Sequence, residues 1–494
     1  MTTSEERMSQ LPAVYADLQP SEVWRHFGAL NQIPRPSGHE EAARAFIQHV
    51  AEEHRAMWKV DAFGNIVLRV TPRGARADAP VVVVQSHLDM VCQKRPGVDH
   101  DFDKDPIVPR RDDDRIYASG TTLGADNGLG VALALALLTT DELKHGPLEL
   151  LFTTEEETGL YGATHLDPEL VRGRLLVNLD SEDPDELTVG CAGGAGTTLR
   201  LKALREVHSL HSVARTITVS GLQGGHSGVQ IHERLANALK VLSAALSTVV
   251  ERVRCVRLVS IEGGNAGNAI PRDAEAVVIM DAGHVQEFEA AVRTAADRQL
   301  AAWKNDEPGL AITSGPAELN NPFSPLAEAE ILRLLRDLPH GVWRYSDRYP
   351  GVVETSSNLA EVHTQGSEIG FNISSRSFLG TELQAAQDRV ASIGRNVGAE
   401  VLVREGYPGW EPSVDSRLLR ITQKAFVEAN GKPPQIKVVH AGLECGILST
   451  KLPGLEAVSF GPLIRGAHTP EEYVGISSVE TTWKTLTALL RDLA

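Results

Sequence analysis

Val81-Val82-Val83-Val84-Gln85-Ser86-His87-Leu88-Asp89 decides how the rest of this 494-residue chain is read. Four β-branched residues in a row suit a strand, and their lack of alternation suits one buried on both faces. Such a strand belongs to an α/β sheet with helices covering both sides. A histidine and an aspartate follow at once, two positions apart. In an extended chain they face the same side, so Asp89 can fix the ring of His87. The plainer alternative is a turn residue beside a solvated acid.

Outward from this stretch the same style recurs. Residues 21–56 predict two helices split by Ile33-Pro34-Arg35-Pro36-Ser37-Gly38, a run of helix breakers. Strands are expected at 65–70, 148–153 and 175–179, and a strongly apolar helix at 128–138. From about residue 197 the pattern changes to the polar–apolar alternation of half-exposed antiparallel strands. The expected order there is β-α-β-β-α-β, followed by a second related unit without a detectable sequence repeat. After about residue 403 the α/β style returns, with a helix at 417–429, strands at 435–439 and 455–460 and a closing helix at 479–493. The expectation is a doubly wound mixed-sheet α/β catalytic domain, residues 1–195 and 405–494, interrupted by an inserted α+β lid domain, residues 196–404.

Composition narrows the function. Hydrophobic residues make up 42 % and charged residues 23 %, an ordinary globular balance. Lys plus Arg is 48 against 65 Asp plus Glu, a formal charge of −17, which argues against nucleic acid or an anionic membrane surface as partner. Cys92, Cys191, Cys255 and Cys445 are widely spaced, so neither a disulfide framework nor a cysteine zinc site is expected. The first twenty residues lack the basic-then-apolar order of a signal peptide, and the apolar run at 131–138 is too short to span a bilayer. A cytoplasmic protein is expected.

Chemistry-bearing residues gather just past strand ends, where open α/β sheets bind ligands. Beside His87 and Asp89 stand Asp126 in Leu123-Gly124-Ala125-Asp126-Asn127-Gly128, Glu155-Glu156-Glu157 in Thr154–Gly159, and Asp180 in Asn178-Leu179-Asp180-Ser181-Glu182. His468 in Gly466-Ala467-His468-Thr469-Pro470 and the run His440–Gly446 complete the series. Each has a bland reading. Asp126 can be an N-cap, and acids in a first helical turn are favoured by electrostatics alone. Together they supply His, Asp, Glu, Asp and His at the ends of one sheet, the number and type that two nearby divalent ions sharing one carboxylate require.

These motifs resemble the co-catalytic zinc exopeptidases that include aminoacylases and tripeptidases. Further stretches resemble, within them, the aminoacyl-histidine dipeptidases (Xaa-His, carnosinase-like). They are Ile33–Glu40, Gly221-Leu222-Gln223-Gly224-Gly225-His226-Ser227-Gly228, Asn268-Ala269-Ile270-Pro271-Arg272, Gly351–Ser356 and His440–Gly446. The resemblance runs through nearly the whole chain. It implies metal-dependent hydrolysis of dipeptides, Xaa-His preferred, by a water bridged between two divalent ions per subunit. Zinc is the implied metal, and manganese or cobalt suits the same donors. It implies that His87 and Asp180 hold one ion, Glu157 and His468 the other, and that Asp126 bridges them. It makes Glu156 the general base and Asp89 the group that orients His87. The run of glutamates is aligned on Gly159, and a slip by one residue would exchange those roles. For the insert it implies that His226 polarises the scissile carbonyl, Asn268 and Arg376 hold the substrate, Gly442 lines its pocket, and the subunits pair as a homodimer. The alternatives are a two-metal tripeptidase, aminopeptidase or N-acyl amino acid deacylase, or a binding protein that has lost catalysis.

Overall fold

The run of valines is buried along its whole length, in a strand Val82–His87. The structure, a computed structural model, describes residues 13–76, 78–209, 211–413 and 415–494. The reading of the N-terminus as leaderless falls largely on residues 1–12, outside the described residues. The chain divides into two compact units, Met1–Cys191 with Trp410–Val438 and Leu443–Ala494, and Ala192–Gly409 with Val439–Gly442.

In the first unit an eight-stranded sheet runs in the order Met57–Val60, Ile66–Val70, Leu148–Thr153, Val82–His87, Leu175–Asn178, Glu456–Ser459, Glu186–Cys191, Gln435–Val439. The three central pairings, of Val82–His87 with both neighbours and of Leu175–Asn178 with Glu456–Ser459, are parallel, while Met57–Val60 with Ile66–Val70, Ile66–Val70 with Leu148–Thr153, and Glu456–Ser459 with Glu186–Cys191 are antiparallel. This is the mixed α/β sheet expected. Parallel strands joined by helices are covered on both faces, which is why Val82–His87 and Leu148–Thr153 show no exposed position. Helix Ala125–Thr139 is buried from Asn127 to Leu138, so its apolar residues face the core all round. Fully buried leucines such as Leu150 each contribute about 2–5 kcal/mol, the usual cost of truncation to alanine.

The second unit is built on a nine-stranded sheet in which every described pairing is antiparallel. Its order is Ala311–Pro316, Ser212–Ser220, Ala274–Asp281, Arg257–Gly263, Val353–Gln365, Glu368–Ser377, Gly193–Lys202, Glu400–Val403, with Gly341–Tyr345 also pairing to Val353–Gln365. The expected β-α-β-β-α-β segment and the unit after it are thus parts of one continuous sheet. Its apolar face shares a core with helices Ala238–Arg252, Val285–Trp303, Pro325–Asp337 and Gly380–Arg395. Asn237 and Ser324 cap two of these by accepting backbone N–H bonds. Among the described residues no helix is long and apolar enough to cross a membrane.

A four-stranded antiparallel sheet, Ile464–Arg465, Tyr473–Gly475, Arg115–Ala118 and Pro109–Asp112, corrects one expectation. His468 does not follow the main-sheet strand directly. The chain first enters Ile464–Arg465, and His468 stands in the connection to Tyr473–Gly475 with a left-handed φ of 64°. Asp126 likewise enters from this side structure, not from a main-sheet strand end.

Candidate metal centre

Asp126 is free for chemistry because another residue caps its helix. The first N–H groups of a helix lack partners. Here Glu472 fills them: its carboxylate accepts from Leu123 N at 2.7 Å, Gly124 N at 3.0 Å, Ala125 N at 2.7 Å and Asp126 N at 3.3 Å. Glu472 lies more than three hundred residues away in sequence, which is why local reading left the cap with Asp126. The Asp126 carboxylate instead lies between two imidazoles, Oδ1 at 3.2 Å from His87 Nε2 and Oδ2 at 3.2 Å from His468 Nε2.

The same two rings meet two more acids. His87 Nε2 lies 3.3 Å from Asp180 Oδ1, and His468 Nε2 lies 3.0 Å from Glu157 Oε2. Donor atoms of His87, Asp126 and Asp180 fall within 4.8 Å of one another, as do those of Asp126, Glu157 and His468, and those of His87, Glu156 and Glu157. Each Nε2 therefore faces two carboxylate oxygens, which one N–H cannot serve at good geometry. Glu157 Oε1 is buried with no hydrogen-bond partner among the described residues. A hard or borderline cation suits this donor set of imidazole and carboxylate, so the residues fit two divalent ions with Asp126 common to both.

Asp89 ties the acid loop to the histidine. Its Oδ1 accepts from Glu156 N at 3.1 Å, and its Oδ2 accepts from Glu157 N at 3.1 Å and from Ser37 Oγ at 2.7 Å. His87 Nδ1 stands 3.3 Å from Oδ1. Beneath the centre a polar row crosses the strand ends. Gln85 donates to Glu444 at 2.6 Å, Asn178 donates to Gln85 at 2.6 Å, and Thr153 donates to Glu444 at 2.8 Å. Asn127 donates to the Leu179 carbonyl at 2.9 Å, joining the Asp126 loop to the strand end that carries Asp180.

Among these side chains alone, charge is unevenly settled. Hydrogen bonds to Asp126 and Glu157 push His468 up to about 11. Burial opposes a charged His87, but Asp180, Asp126 and Asp89 outweigh it and raise its pKa well above the usual range. Burial pushes Asp180 up to about 6 despite His87. It also raises Glu156 well above the carboxylate range, with Asp180, Glu444 and Glu157 adding to it. Burial would raise Asp89 as well, yet His87, Ser37 and the Glu156 amide hold it at about 2. Carboxylates this crowded are what a cation relieves.

The second unit gathers its own polar cluster. His226 pairs, in the two-residue strand Gly225–His226, with Ala269–Ile270. Its Nδ1 accepts from Gly228 N at 3.0 Å and Val229 N at 3.1 Å, which leaves the proton of the neutral ring on Nε2. Arg376 is buried, donates from Nη1 to Tyr407 Oη at 2.8 Å, and leaves Nε without a hydrogen-bond partner among the described residues. Ser356 and His440 Nε2 lie 2.8 Å apart. A Cβ on Gly228 would come within 2.3 Å of the His440 carbonyl, 2.9 Å of the His226 ring and 3.1 Å of Arg376 Nε, so these groups converge there. Gly442 packs on Tyr407, where a Cβ would meet the ring at 2.6 Å. Asn268 is exposed, and its carbonyl accepts from Ser227 N at 2.8 Å.

Sequence reading missed Glu472, and it included Glu444 in the run His440–Gly446 without giving it a role. Glu472 follows the His468 motif closely, but a lone acid carries no periodic signal.

Comparison with known proteins defines the class. The chain belongs to Peptidase family M20/M25/M40, which it matches over residues 83–492. It is therefore a peptidase, a hydrolase, as the motifs led one to expect. It is 37 % identical over 480 residues to the cytosol non-specific dipeptidase of Escherichia coli (strain K12), covering 97 % of this chain and 99 % of that one. It is also similar in structure to aminoacylhistidine dipeptidase from Vibrio alginolyticus, with TM-score 0.89 and 34 % identity over 97 % of this chain and 98 % of that one. Aminopeptidase PepT from Bacillus cereus shares the fold at TM-score 0.56 and 16 % identity, covering 96 % and 99 % of the two chains.

Proposed function

We propose that this protein is a two-metal dipeptidase, and the observation that carries the reading is the pair of donor triads sharing Asp126. His87 and Asp180 would hold one divalent ion, Glu157 and His468 the other, and Asp126 both. When bound, two such ions supply Lewis acidity to a peptide carbonyl and lower the pKa of water, with zinc the first choice for these donors.

The protein's own groups do the rest. Glu156 takes a proton from the attacking water as its oxygen bonds to the carbonyl carbon. It then returns that proton to the leaving amine as the C–N bond breaks. Burial raises its carboxyl above the usual range, which favours its holding the proton between the two steps. Asp89 fixes the His87 ring and the backbone of the acid loop. In the second unit, His226 Nε2–H would donate to the developing oxyanion. Arg376 offers a fork to the substrate's terminal carboxylate, with Asn268 and Gly442 shaping the surroundings.

Dipeptides are favoured as substrates because the E. coli and Vibrio relatives, alike over nearly their full length, both carry dipeptidase names. Xaa-His peptides are the preferred test class, supported by the Vibrio name, whereas the E. coli name favours a broader range. Cytoplasmic location is supported by the E. coli relative's name. A homodimer through the second unit is part of the same reading, checked by light scattering. The deciding experiment strips the protein with a chelator, restores zinc or manganese, and assays carnosine beside other dipeptides, a tripeptide and an N-acetyl amino acid. Metal-dependent cleavage of dipeptides supports the reading. Cleavage of the tripeptide or acetylated substrate alone overturns the substrate class.

A further inference from the structure

Loops of the metal centre meet at one short segment to which no role attaches, residues 35–40, which precede residue 83, where the family match begins. Arg35 is 2 % exposed. Its Nη1 donates to the carbonyls of Leu88 at 2.7 Å and Asp89 at 2.9 Å, and its Nη2 to the carbonyl of Gly124 at 2.5 Å. Among the described residues no carboxylate pairs with it within ion-pair distance. A guanidinium out of water without a direct counter-ion is costly, and it persists only where its bonds are well made. Here all of them go to main-chain carbonyls of the two loops that carry His87–Asp89 and Asp126.

The neighbouring sequence makes room for this one side chain. A Cβ on Gly124 would lie 2.5 Å from Arg35 Nη2, and one on Gly128 would lie 2.6 Å from it. Gly124 also has a left-handed φ of 68°. The rest of the segment reaches the third loop. Ser37 Oγ donates to Asp89 Oδ2 at 2.7 Å, and Glu40 Oε1 accepts from Glu155 N at 3.0 Å. Met90 N donates to the Arg35 carbonyl at 3.1 Å, fixing the segment beside the His87 strand end.

We propose that Arg35, Ser37 and Glu40 form a clamp that sets the spacing of the His87, Asp126 and Glu156–Glu157 loops and thereby the affinity for both ions. Arg35 is its central positioning residue. The inference rests on the two-metal reading of the centre. A planar fork with donors in fixed directions can bridge carbonyls of two loops at once, which a lysine ammonium cannot. Arg35→Lys keeps the charge and loses the fork.

The test is competitive chelator titration of stripped protein with zinc, with the visible absorption of the cobalt-loaded form as a second readout and near-UV circular dichroism as the check on folding. The wild type should bind two ions per subunit. Arg35→Lys should retain its near-UV spectrum, bind zinc roughly 10- to 100-fold more weakly, as loss of an outer support to metal ligands commonly does, and shift the cobalt bands. Ser37→Ala, at a half-buried site, should weaken zinc several-fold. Unchanged affinity and cobalt spectrum in folded Arg35→Lys overturn the clamp. If Arg35→Lys does not fold, unchanged behaviour of Ser37→Ala does so. A wild type that binds fewer than two ions overturns the two-metal centre itself.

Discussion

Replacing Asp89 with asparagine removes one oxygen acceptor and nothing else of size. The carboxylate now serves Glu156 N through Oδ1, and Glu157 N and Ser37 Oγ through Oδ2. An amide has one oxygen to offer. With it at the Oδ1 position, the NH2 group faces Glu157 N–H. With it at the Oδ2 position, the NH2 group faces Glu156 N–H and stands against His87 Nδ1, 3.3 Å from Oδ1. Either rotamer orphans one amide of the acid loop, at about 1–3 kcal/mol. A second route gives a similar figure. Asp89 is held at about 2 from 3.8, which corresponds to about 2 kcal/mol. The pKa is depressed, so this stability is present above pH 3.8 and fades as pH falls toward 2. The second rotamer also turns the NH2 group toward Nδ1, which opposes the Nδ1–H tautomer that leaves Nε2, the atom facing Asp126 and Asp180, free for a metal. Urea unfolding of the chelated protein at pH 7.5 should therefore show a loss of about 1–3 kcal/mol. Calorimetry should show zinc bound about 10- to 100-fold more weakly. Stability within about 0.5 kcal/mol of wild type together with unchanged zinc affinity would refute the reasoning.

Glu156→Ala should lower kcat by at least about 100-fold, the lower range for removing a general base, while mass spectrometry still finds the metal content of the wild type. Zinc loading of stripped protein at pH 7.5 should release protons, because His468, pushed up to about 11 by Asp126 and Glu157, is held protonated and must be neutral as a ligand. The apparent affinity then rises with pH, and calorimetry in buffers of different ionisation enthalpy counts the protons; a count of zero contradicts the geometry. Gly228→Ala forces a Cβ to within 2.3 Å of the His440 carbonyl and 2.9 Å of the His226 ring. Steady-state kinetics should show kcat/KM down by roughly 10-fold or more with zinc stoichiometry unchanged, since a small misplacement of positioning groups is enough.

The centre of the first unit was legible where chain periodicity and chemistry coincide. A buried parallel strand announces itself by unbroken apolar residues, so His87, Asp89 and Asp180 could be placed at strand ends before any fold was known. The small sheet that carries His468 gives no such signal. Its strand Pro109–Asp112 is mostly exposed and reads Pro-Arg-Arg-Asp, without an apolar face. The unity of the second unit's sheet was also hidden, because pairing such as Arg257–Gly263 with Val353–Gln365 joins segments about a hundred residues apart.

What local sequence could not separate, the backbone separates. Glu155, Glu156 and Glu157 are chemically identical, and no composition or spacing argument ranks them. In the fold, Glu155 takes a left-handed φ of 49° and gives its N–H to Glu40, while Glu156 and Glu157 give theirs to the two oxygens of Asp89. Glu157 then meets His468, while Glu156 groups with His87 and not with His468. The same holds for Asp126, whose freedom depends on a carboxylate far along the chain that takes over the cap. In both cases the ligand-type residue is readable in sequence, but its role follows from which distant group occupies the neighbouring backbone amides. Of those outer groups, Glu472, Glu40 and Arg35 bond to main chain rather than to side chains. That leaves them without a local sequence pattern, and it makes them the places where conservative substitution tests the centre most sharply.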